Sequence, residues 1–424
     1  QLGNAGWSYD DVLPYFRKSE DQEKGSDDYH GAGGPLGVSD LQTDHPLHDA
    51  FIAGAQEAGY RYNADFNGAE QEGVGPLQLT VKGRRRCSTA VGYLNPVKSR
   101  RNLTIEVRAL TRKVLLQGKR AVGIEYSQNG TTRRAKAKRE VLLCGGAINS
   151  PQLLQLSGIG PGELLQSLGI GVEHDLPGVG ENLQDHIGGR IINRCVDGTI
   201  TMNEIYHNWL RRLYAGAEWI LARKGPLMTG AGPIGLFVKT RPELDSPDVQ
   251  YQFLAGSSQK PGEAMHKFPG CTLVAIPCRP ESRGWLRITS ADPEKPPAMQ
   301  PNYLSTQTDR DTIVAGLRVT RRIFATASMQ RFVKEEIYPG PQASSDEDLL
   351  EHVRATAGTT FHQTSTCMMG PGPKAVVDTS LKVKGVDGLR VIDASVMPTV
   401  VSGNTNATVI MIAEKAADMI LQAA

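Results

Sequence analysis

Cysteine is scarce. Six thiols (Cys87, Cys144, Cys195, Cys271, Cys278 and Cys367) are scattered through 424 residues, with no C-x-x-C pair and no metal-ligand spacing. That spacing argues against a disulfide framework and gives no zinc signature. No apolar run is long enough to span a bilayer, and no signal-peptide pattern opens the chain. A cytoplasmic protein is expected, with peripheral attachment at an inner membrane as the alternative. A surplus of either charge is also missing: 47 Lys and Arg against 45 Asp and Glu leave +2. With no zinc-finger, RRM or helix-turn-helix pattern, nucleic acid is not an expected partner. The densest basic run, Lys82 to Arg86, reads as a solvated surface. Internal repeats are absent. The chain also lacks any strand–GxGxxG–helix unit, the arrangement that brings helix N–H groups to a pyrophosphate. The one literal match, Gly230-Ala231-Gly232-Pro233-Ile234-Gly235, follows Lys224-Gly225-Pro226 and runs into strand-like Leu236-Phe237-Val238. Gly158 to Gly162 follows a helix and fails the same test.

What is there supports two packed cores. Gly6 to Phe16 reads as a short helix capped at Ser8 or Asp10, and Glu20 to Gly37 as a polar, glycine-rich loop. Leu47 to Ala58 has helical periodicity and stops at Gly59, and Ser88 to Tyr93 suits another short helix. Alternation then marks Leu103–Val107, Lys113–Gln117, Ala121–Tyr126 and Thr132–Ala137 as strands, with Gly118 and Asn129-Gly130 at turns. Glu140 to Cys144 is continuously apolar after its first residue, as in a buried parallel strand, and feeds a helix expected to start near Ser150-Pro151. The middle region carries helices at Asn208–Ala222 and Thr312–Ala325, and strands of a second sheet at Val249–Phe253, Cys271–Pro277 and Trp285–Thr289. A last strand, Leu389 to Ile392, ends at Asp393, and a long helix runs from Ala407 to Leu421. Strand–helix units on both sides of a different insert mark a discontinuous domain.

The most specific string is Gly146-Ala147-Ile148-Asn149-Ser150-Pro151-Gln152-Leu153-Leu154-Gln155-Leu156-Ser157-Gly158-Ile159-Gly160. Read from its residues it is a strand exit, a glycine turn, a helix and a glycine C-cap, and helix packing alone explains most of it. As an ordered string it resembles the second signature of the glucose–methanol–choline oxidoreductase family. Gly6 to Phe16, Arg86 to Leu94 and Asp175 to His186 resemble other segments of that family, in the same order. The resemblance spans essentially the whole chain, with close relatives among bacterial choline and aliphatic alcohol dehydrogenases.

The resemblance implies an α/β plus α+β fold: an FAD-binding Rossmann-like domain, incomplete at its N-terminus, formed by 1–190 and 370–424, and a substrate domain of antiparallel sheet and helices at 191–369. A lone histidine is more often structural than catalytic, and there are nine. The family's H-P-x-G-T-C-x-M-G motif nonetheless places its base at His362, in Thr360-Phe361-His362-Gln363-Thr364-Ser365-Thr366-Cys367-Met368-Met369-Gly370. The chain departs from that motif at Gln363 and Ser365, where proline and glycine are usual, so the rigidity of the loop is expected to differ. Asn404 matches the position of the family's second histidine or asparagine, and also suits a helix N-cap. Asp393 and Ala394 lie just beyond a strand, where ligands collect in open α/β sheets; an aspartate there also serves as a plain cap. The resemblance implies contact of Asp393 and Ala394 with FAD, of the Val107 backbone with its adenine, and of Thr405 and Asn406, at the head of the last helix, with the flavin edge. No metal is expected.

The implied reaction is oxidation of a small alcohol to an aldehyde. His362 takes the hydroxyl proton, Asn404 orients the oxygen, and hydride passes to flavin N5, with oxygen or a quinone as the electron acceptor. A hydroxynitrile lyase of the same fold and an inactive remnant are the alternatives. The family's GxGxxG loop and its ribose-binding acid precede everything present here, and the chain opens on Gln1 rather than Met. A fragment of a longer product is the preferred explanation; a separate chain supplying the pyrophosphate loop and a degenerate homologue are the others. Such a chain alone is expected to bind FAD poorly and to expose the apolar face of its parallel strand.

Overall fold

The computed structural model describes residues 2–40, 44–223, 225–228, 232–260 and 262–423. Among them, no helix is long and apolar enough to cross a membrane.

Two apolar cores organise the chain. The first gathers around a pair of parallel strands, Val141–Leu143 and Leu389–Val391, registered Leu389 on Val141 and Val391 on Leu143. Val141 and Leu143 point into the core, while Leu142 is 44% exposed, so this strand is covered on one side only. Its open face contributes to a cavity of about 690 Å³, which is also lined by Ala109, Ile124, Ala135 and Asn149. Arg390, alternating with core residues, would be an unpaired buried charge. Instead its guanidinium grips Glu140 through Nε at 2.7 Å and a second nitrogen at 3.1 Å, which lowers the Glu140 pKa.

The helix Tyr9–Ser19 lies against the final helix Asn406–Gln422, with Trp7, Tyr15 and Phe16 packed against the core that holds Met411, Ile412 and Ala416. Ser8 is its cap: the Ser8 hydroxyl accepts from the Asp11 N–H, and the Asp11 carboxylate accepts from the Ser8 N–H at 2.9 Å. Lys18 ties the two helices at their ends, at 3.1 Å from Glu414 and 3.0 Å from Asp418.

The second core sits on a seven-stranded antiparallel sheet. Its strands run Val333–Tyr338, Ile187–Cys195, Gly270–Pro277, Val249–Leu254, Ile234–Val238 and Gly73–Pro76, with Gly358–Thr359 pairing the start of Ile187–Cys195. Helices Gln307–Phe324, Asp346–Thr356 and Pro46–Glu57 cover it. Ile234–Val238 is buried throughout, as expected for a strand with both faces covered. Phe51, from the first quarter of the chain, stacks on Phe253 at 4.4 Å. Fully burying a side chain of that size contributes about 2–3 kcal/mol, so residues 46–76 are bound firmly into this second core.

Several elements differ from the sequence expectation, each for a physical reason. Leu103–Val107 is not a strand. Leu103, Ile105 and Val107 are all exposed, and among the described residues no strand pairs with the segment, so alternation there has no sheet to serve. The hairpin strands are Ala109–Gln117, Arg120–Gln128 and Thr131–Lys136, and Asn129 and Gly130 take positive φ at the second turn. The expected loop after Glu20 contains two short parallel strands, Glu20–Gln22 and Leu36–Val38. The helix after the parallel strand starts at Gly146, five residues before Pro151. Proline inside the helix leaves the Ala147 carbonyl without its helical donor, and the Thr366 hydroxyl fills that role at 2.7 Å. Gly284–Arg287 belongs to a separate three-stranded sheet with Glu181–Leu183 and Ala298–Gln300, not to the main sheet. Of the literal GxGxxG, Gly230 and Ala231 lie outside the described residues, and Ile234 opens a strand where a phosphate loop needs a helix.

Candidate active site

His362 and Asn404 are 42 residues apart in sequence and meet in space, His362 Nε2 lying 3.2 Å from Asn404 Nδ2. Three stretches of chain bring them together.

The first is the stretch Gln184-Asp185-His186, leading into Ile187–Cys195. The histidine loop lies antiparallel to it: the Thr364 N–H donates to the Gln184 carbonyl at 2.9 Å, and the Thr360 N–H to the His186 carbonyl at 2.9 Å. Between these, the backbone turns through positive φ at Phe361 (63°). The side chain of Asp185 stabilises that turn. It accepts the His362 N–H at 2.9 Å, the Thr359 hydroxyl at 2.5 Å, the Gln363 amide at 3.1 Å and the Tyr303 hydroxyl. Gln363, standing where the family motif has proline, therefore replaces a stiff ring with two side-chain bonds, one to Asp185 and one to Thr359 at 2.8 Å. Ser365 occupies the usual glycine position and keeps the glycine-like backbone, φ 75°.

The second stretch is Asp393 to Val396. Ser365, Cys367 and Met369 donate their N–H groups to the carbonyls of Ala394, Ser395 and Val396 at 3.2, 2.9 and 2.8 Å. Asp393 is buried, and its carboxylate accepts from the Ser395 N–H at 2.8 Å, the Gly146 N–H at 3.0 Å and the Ser150 hydroxyl at 2.5 Å. That side chain ties the exit of one parallel strand to the exit of the other. Ala394 is half-buried beside it.

The third stretch carries Asn404. Gln184 holds its approach, donating to the Pro398 carbonyl at 3.1 Å and accepting from the Val400 N–H at 3.2 Å. The Gln250 amide, in the strand Val249–Leu254, donates to Asn404 Oδ1 at 3.1 Å, which turns Nδ2 toward His362. Thr405 and Asn406 follow at the head of the final helix. No side chain caps that helix, so the positive end of its dipole is left free beside the histidine–asparagine pair. Val107 stands apart, 68% exposed, its carbonyl accepting from Gln128 at 3.0 Å.

Electrostatically the pair is neutral. Burial, and then the neighbouring His186, depress the His362 pKa to about 4. The same burial lowers the pKa of His186, whose Nδ1 lies 2.9 Å from His362 Nδ1. Asp185, His186, Thr360 and Gln250 were not singled out as site residues from the sequence. Asp185 and His186 lie in the Asp175–His186 family segment and Thr360 in the histidine motif, two residues before His362, whereas Gln250 carries no such signal.

A buried neutral imidazole facing a carboxamide, beside an open helix N-terminus, suits removal of a hydroxyl proton next to an electron-accepting ring. GMC oxidoreductase family descriptions match residues 1–188 and 280–413. The chain belongs to the GMC oxidoreductases. It is 45% identical over 420 residues to the mitochondrial choline dehydrogenase of Homo sapiens, covering 99% of this chain and 70% of that one. It is 43% identical to an oxygen-dependent choline dehydrogenase of Pectobacterium carotovorum, covering 99% and 75%. Pyridoxine 4-oxidase from Mesorbium loti superposes with a TM-score of 0.87 at 28% identity, covering 99% of this chain and 79% of that one. An FAD-dependent oxidoreductase from Chaetomium thermophilum gives 0.90 at 25%, covering 100% and 82%. The protein is an FAD-dependent, choline-dehydrogenase-like alcohol oxidoreductase.

The residues present fit the flavin end of FAD; a strand–GxGxxG–helix unit for its pyrophosphate is not among them. The uncapped N-terminus of Asn406–Gln422 offers free donors for the electron-rich edge of a flavin ring, and it lies next to His362 and Asn404 rather than on a remote face.

Proposed function

We propose that this site oxidises a primary alcohol to an aldehyde, with His362 as the base and Asn404 as the donor that holds the alcohol oxygen. The observation that carries the reading is the 3.2 Å approach of His362 Nε2 to Asn404 Nδ2 in a protein whose base is neutral. An alcohol oxygen that meets both nitrogens, in place of their direct contact, accepts from the amide and donates its proton to the imidazole. A free alcohol is far too weak an acid to lose that proton at neutral pH, so the imidazole must receive it while negative charge on oxygen drives hydride away from carbon. The carboxamide steadies that charge on oxygen. Flavin, when bound, supplies the hydride acceptor, and Ala394, Thr405, Asn406 and the backbone at Val107 are the residues proposed to hold it. The Asp393 side chain acts one step back, keeping both strand exits in register.

In this reading 1–190 with 370–424 form the flavin unit and 191–369 the main part of the substrate unit, which is completed by Pro46–Glu57 and Gly73–Pro76 through their packing in its core. Electrons then pass to a quinone or to oxygen, and the protein works in solution or on an inner-membrane surface.

The test is anaerobic addition of alcohols, choline among them, to FAD-loaded protein. Loss of the visible flavin band, with aldehyde formed in equal amount, supports the reading. Turnover of a cyanohydrin with the flavin left oxidised would instead favour lyase chemistry.

A further inference from the structure

We propose that His186 is a positioning residue that sets the tautomer of His362, placing the proton on His362 Nδ1 and leaving Nε2 bare to act as the base. The inference rests on the catalytic reading of His362 and extends it to the group behind it.

The argument starts at an atom that can only accept. His186 Nε2 lies 2.9 Å from the Cys278 carbonyl oxygen, so Nε2 carries a proton and donates it. His186 is buried, and burial favours its neutral form, which holds one ring proton. With that proton on Nε2, His186 Nδ1 presents a lone pair. Facing it at 2.9 Å is His362 Nδ1. Two lone pairs at that distance repel, so His362 Nδ1 must be the donor.

Thr360 gives a second, independent argument. Its hydroxyl donates to the His186 carbonyl at 3.1 Å, which turns an oxygen lone pair toward His362 Nδ1 at 3.0 Å. Both neighbours of His362 Nδ1 are therefore acceptors. With Nδ1 protonated, the neutral ring has no proton on Nε2, and that lone pair faces the Asn404 N–H at 3.2 Å. The Gln250 amide closes the line by donating to Asn404 Oδ1. Donors and acceptors thus run one way, from Gln250 through Asn404, His362 and His186 to the Cys278 carbonyl.

The direction matters for the chemistry. When the alcohol O–H breaks, its proton bonds to His362 Nε2 and the ring becomes a cation. The Nδ1–H bond to His186 is then charge-assisted and steadies that cation without any further proton movement. Were His186 to carry its proton on Nδ1, or to be a cation itself, His362 would be held in the opposite tautomer and could not accept a proton at Nε2. The imidazole rings cross nearly at right angles (84°), the geometry of an in-plane hydrogen bond from one ring to the edge of the other rather than of a stack.

The experiment uses FAD-loaded protein with ¹⁵N-labelled histidine rings, read by ring-nitrogen NMR at neutral pH. The expected pattern is proton-bearing Nδ1 and pyridine-like Nε2 for His362, and the reverse for His186. A proton on His186 Nδ1 overturns the proposal. His186→Leu removes the acceptor at similar bulk. It should lower the anaerobic rate of flavin reduction about 10- to 100-fold, by analogy with loss of the hydrogen-bond partner of a metal-bound imidazole, with half-saturation by alcohol little changed. The Leu variant should also lose the ordered His362 pattern. His186→Gln, whose carbonyl can accept from His362, should recover most of the rate. A Leu variant that keeps both the rate and the His362 ring pattern refutes the role. If His186→Leu does not fold, the wild-type ring pattern decides the question alone. Should His362→Ala reduce flavin normally, the catalytic reading fails while the tautomer assignment is still decided by NMR.

Discussion

Replacing Asp185 with asparagine tests whether one carboxylate holds the histidine loop in place. Its Oδ1 accepts the His362 N–H, and its Oδ2 gathers the hydroxyls of Thr359 and Tyr303 and the Gln363 amide. In Asp185→Asn, the new amide must keep its oxygen toward the His362 N–H, because a backbone donor cannot reverse. The NH₂ group then faces the other three partners. The hydroxyls can rotate to accept and Gln363 can turn its amide around, but an NH₂ group has two hydrogens for the three partners, so two bonds change from charge-assisted to neutral and one is lost. Charge-assisted bonds are about twice as strong as neutral ones, which are worth about 1 kcal/mol each. Two bonds weakened by about 1 kcal/mol each and one lost at about 2 kcal/mol, offset by the lower cost of burying a neutral group, give a loss of about 2–3 kcal/mol. Urea unfolding of Asp185→Asn, Tyr303→Phe and the double variant measures it. Because the Tyr303 hydroxyl donates directly to Asp185, the two losses should fall short of additive by about 1 kcal/mol. A single variant within about 0.5 kcal/mol of wild type, or strict additivity in the pair, would refute the anchoring role.

Two further outcomes follow from buried groups. His48 and His362 are each held near a pKa of about 4, against 6.5 for the unfolded chain, the first by burial and then His45, the second by burial and then His186. A group with a depressed pKa binds more protons when unfolded, so stability is full above the unfolded value and declines as pH falls toward the folded one. Each histidine should remove about 2 kcal/mol between about pH 7 and about pH 5. Urea unfolding of His48→Gln should show about 2 kcal/mol less loss than wild type over that range, the remainder coming from His362 and from His45, His186, His266 and His352, whose pKa values are also lowered; an unchanged loss would contradict the assignment. Thr366→Val, isosteric and fully buried, leaves the Ala147 carbonyl unpaired beside Pro151. It should cost about 1–3 kcal/mol in thermal or urea unfolding, and a neutral result would show that the carbonyl has another donor.

The ends of the site were legible in the sequence because they sit in ordered strings. His362 lies in one and Asn404 immediately before a periodic helix, and the structure brings the two together. The parts between them were not legible, for a physical reason. Asp185 reaches the His362 backbone across 177 residues and Gln250 reaches Asn404 across 154, and local periodicity carries no information about which distant side chain supplies a bond. The same limit misplaced Leu103–Val107, where alternation promises a strand but pairing requires a neighbour. It also moved the start of the helix at Gly146: proline reads as a helix start, yet Thr366, more than two hundred residues away, supplies the missing hydrogen bond. Where the controlling contacts are short-range, as in the Ser8 capping box and the Asn129-Gly130 turn, sequence and structure agree.

The central claim is that His362 takes the alcohol proton. The most direct measurement is the anaerobic rate of flavin reduction by alcohol in FAD-loaded wild type and His362→Ala. Loss of a general base costs about 10²- to 10⁴-fold, so the variant should bind flavin with an unaltered visible spectrum yet reduce it at least about a hundredfold more slowly. A His362→Ala protein that bleaches at the wild-type rate would contradict the account.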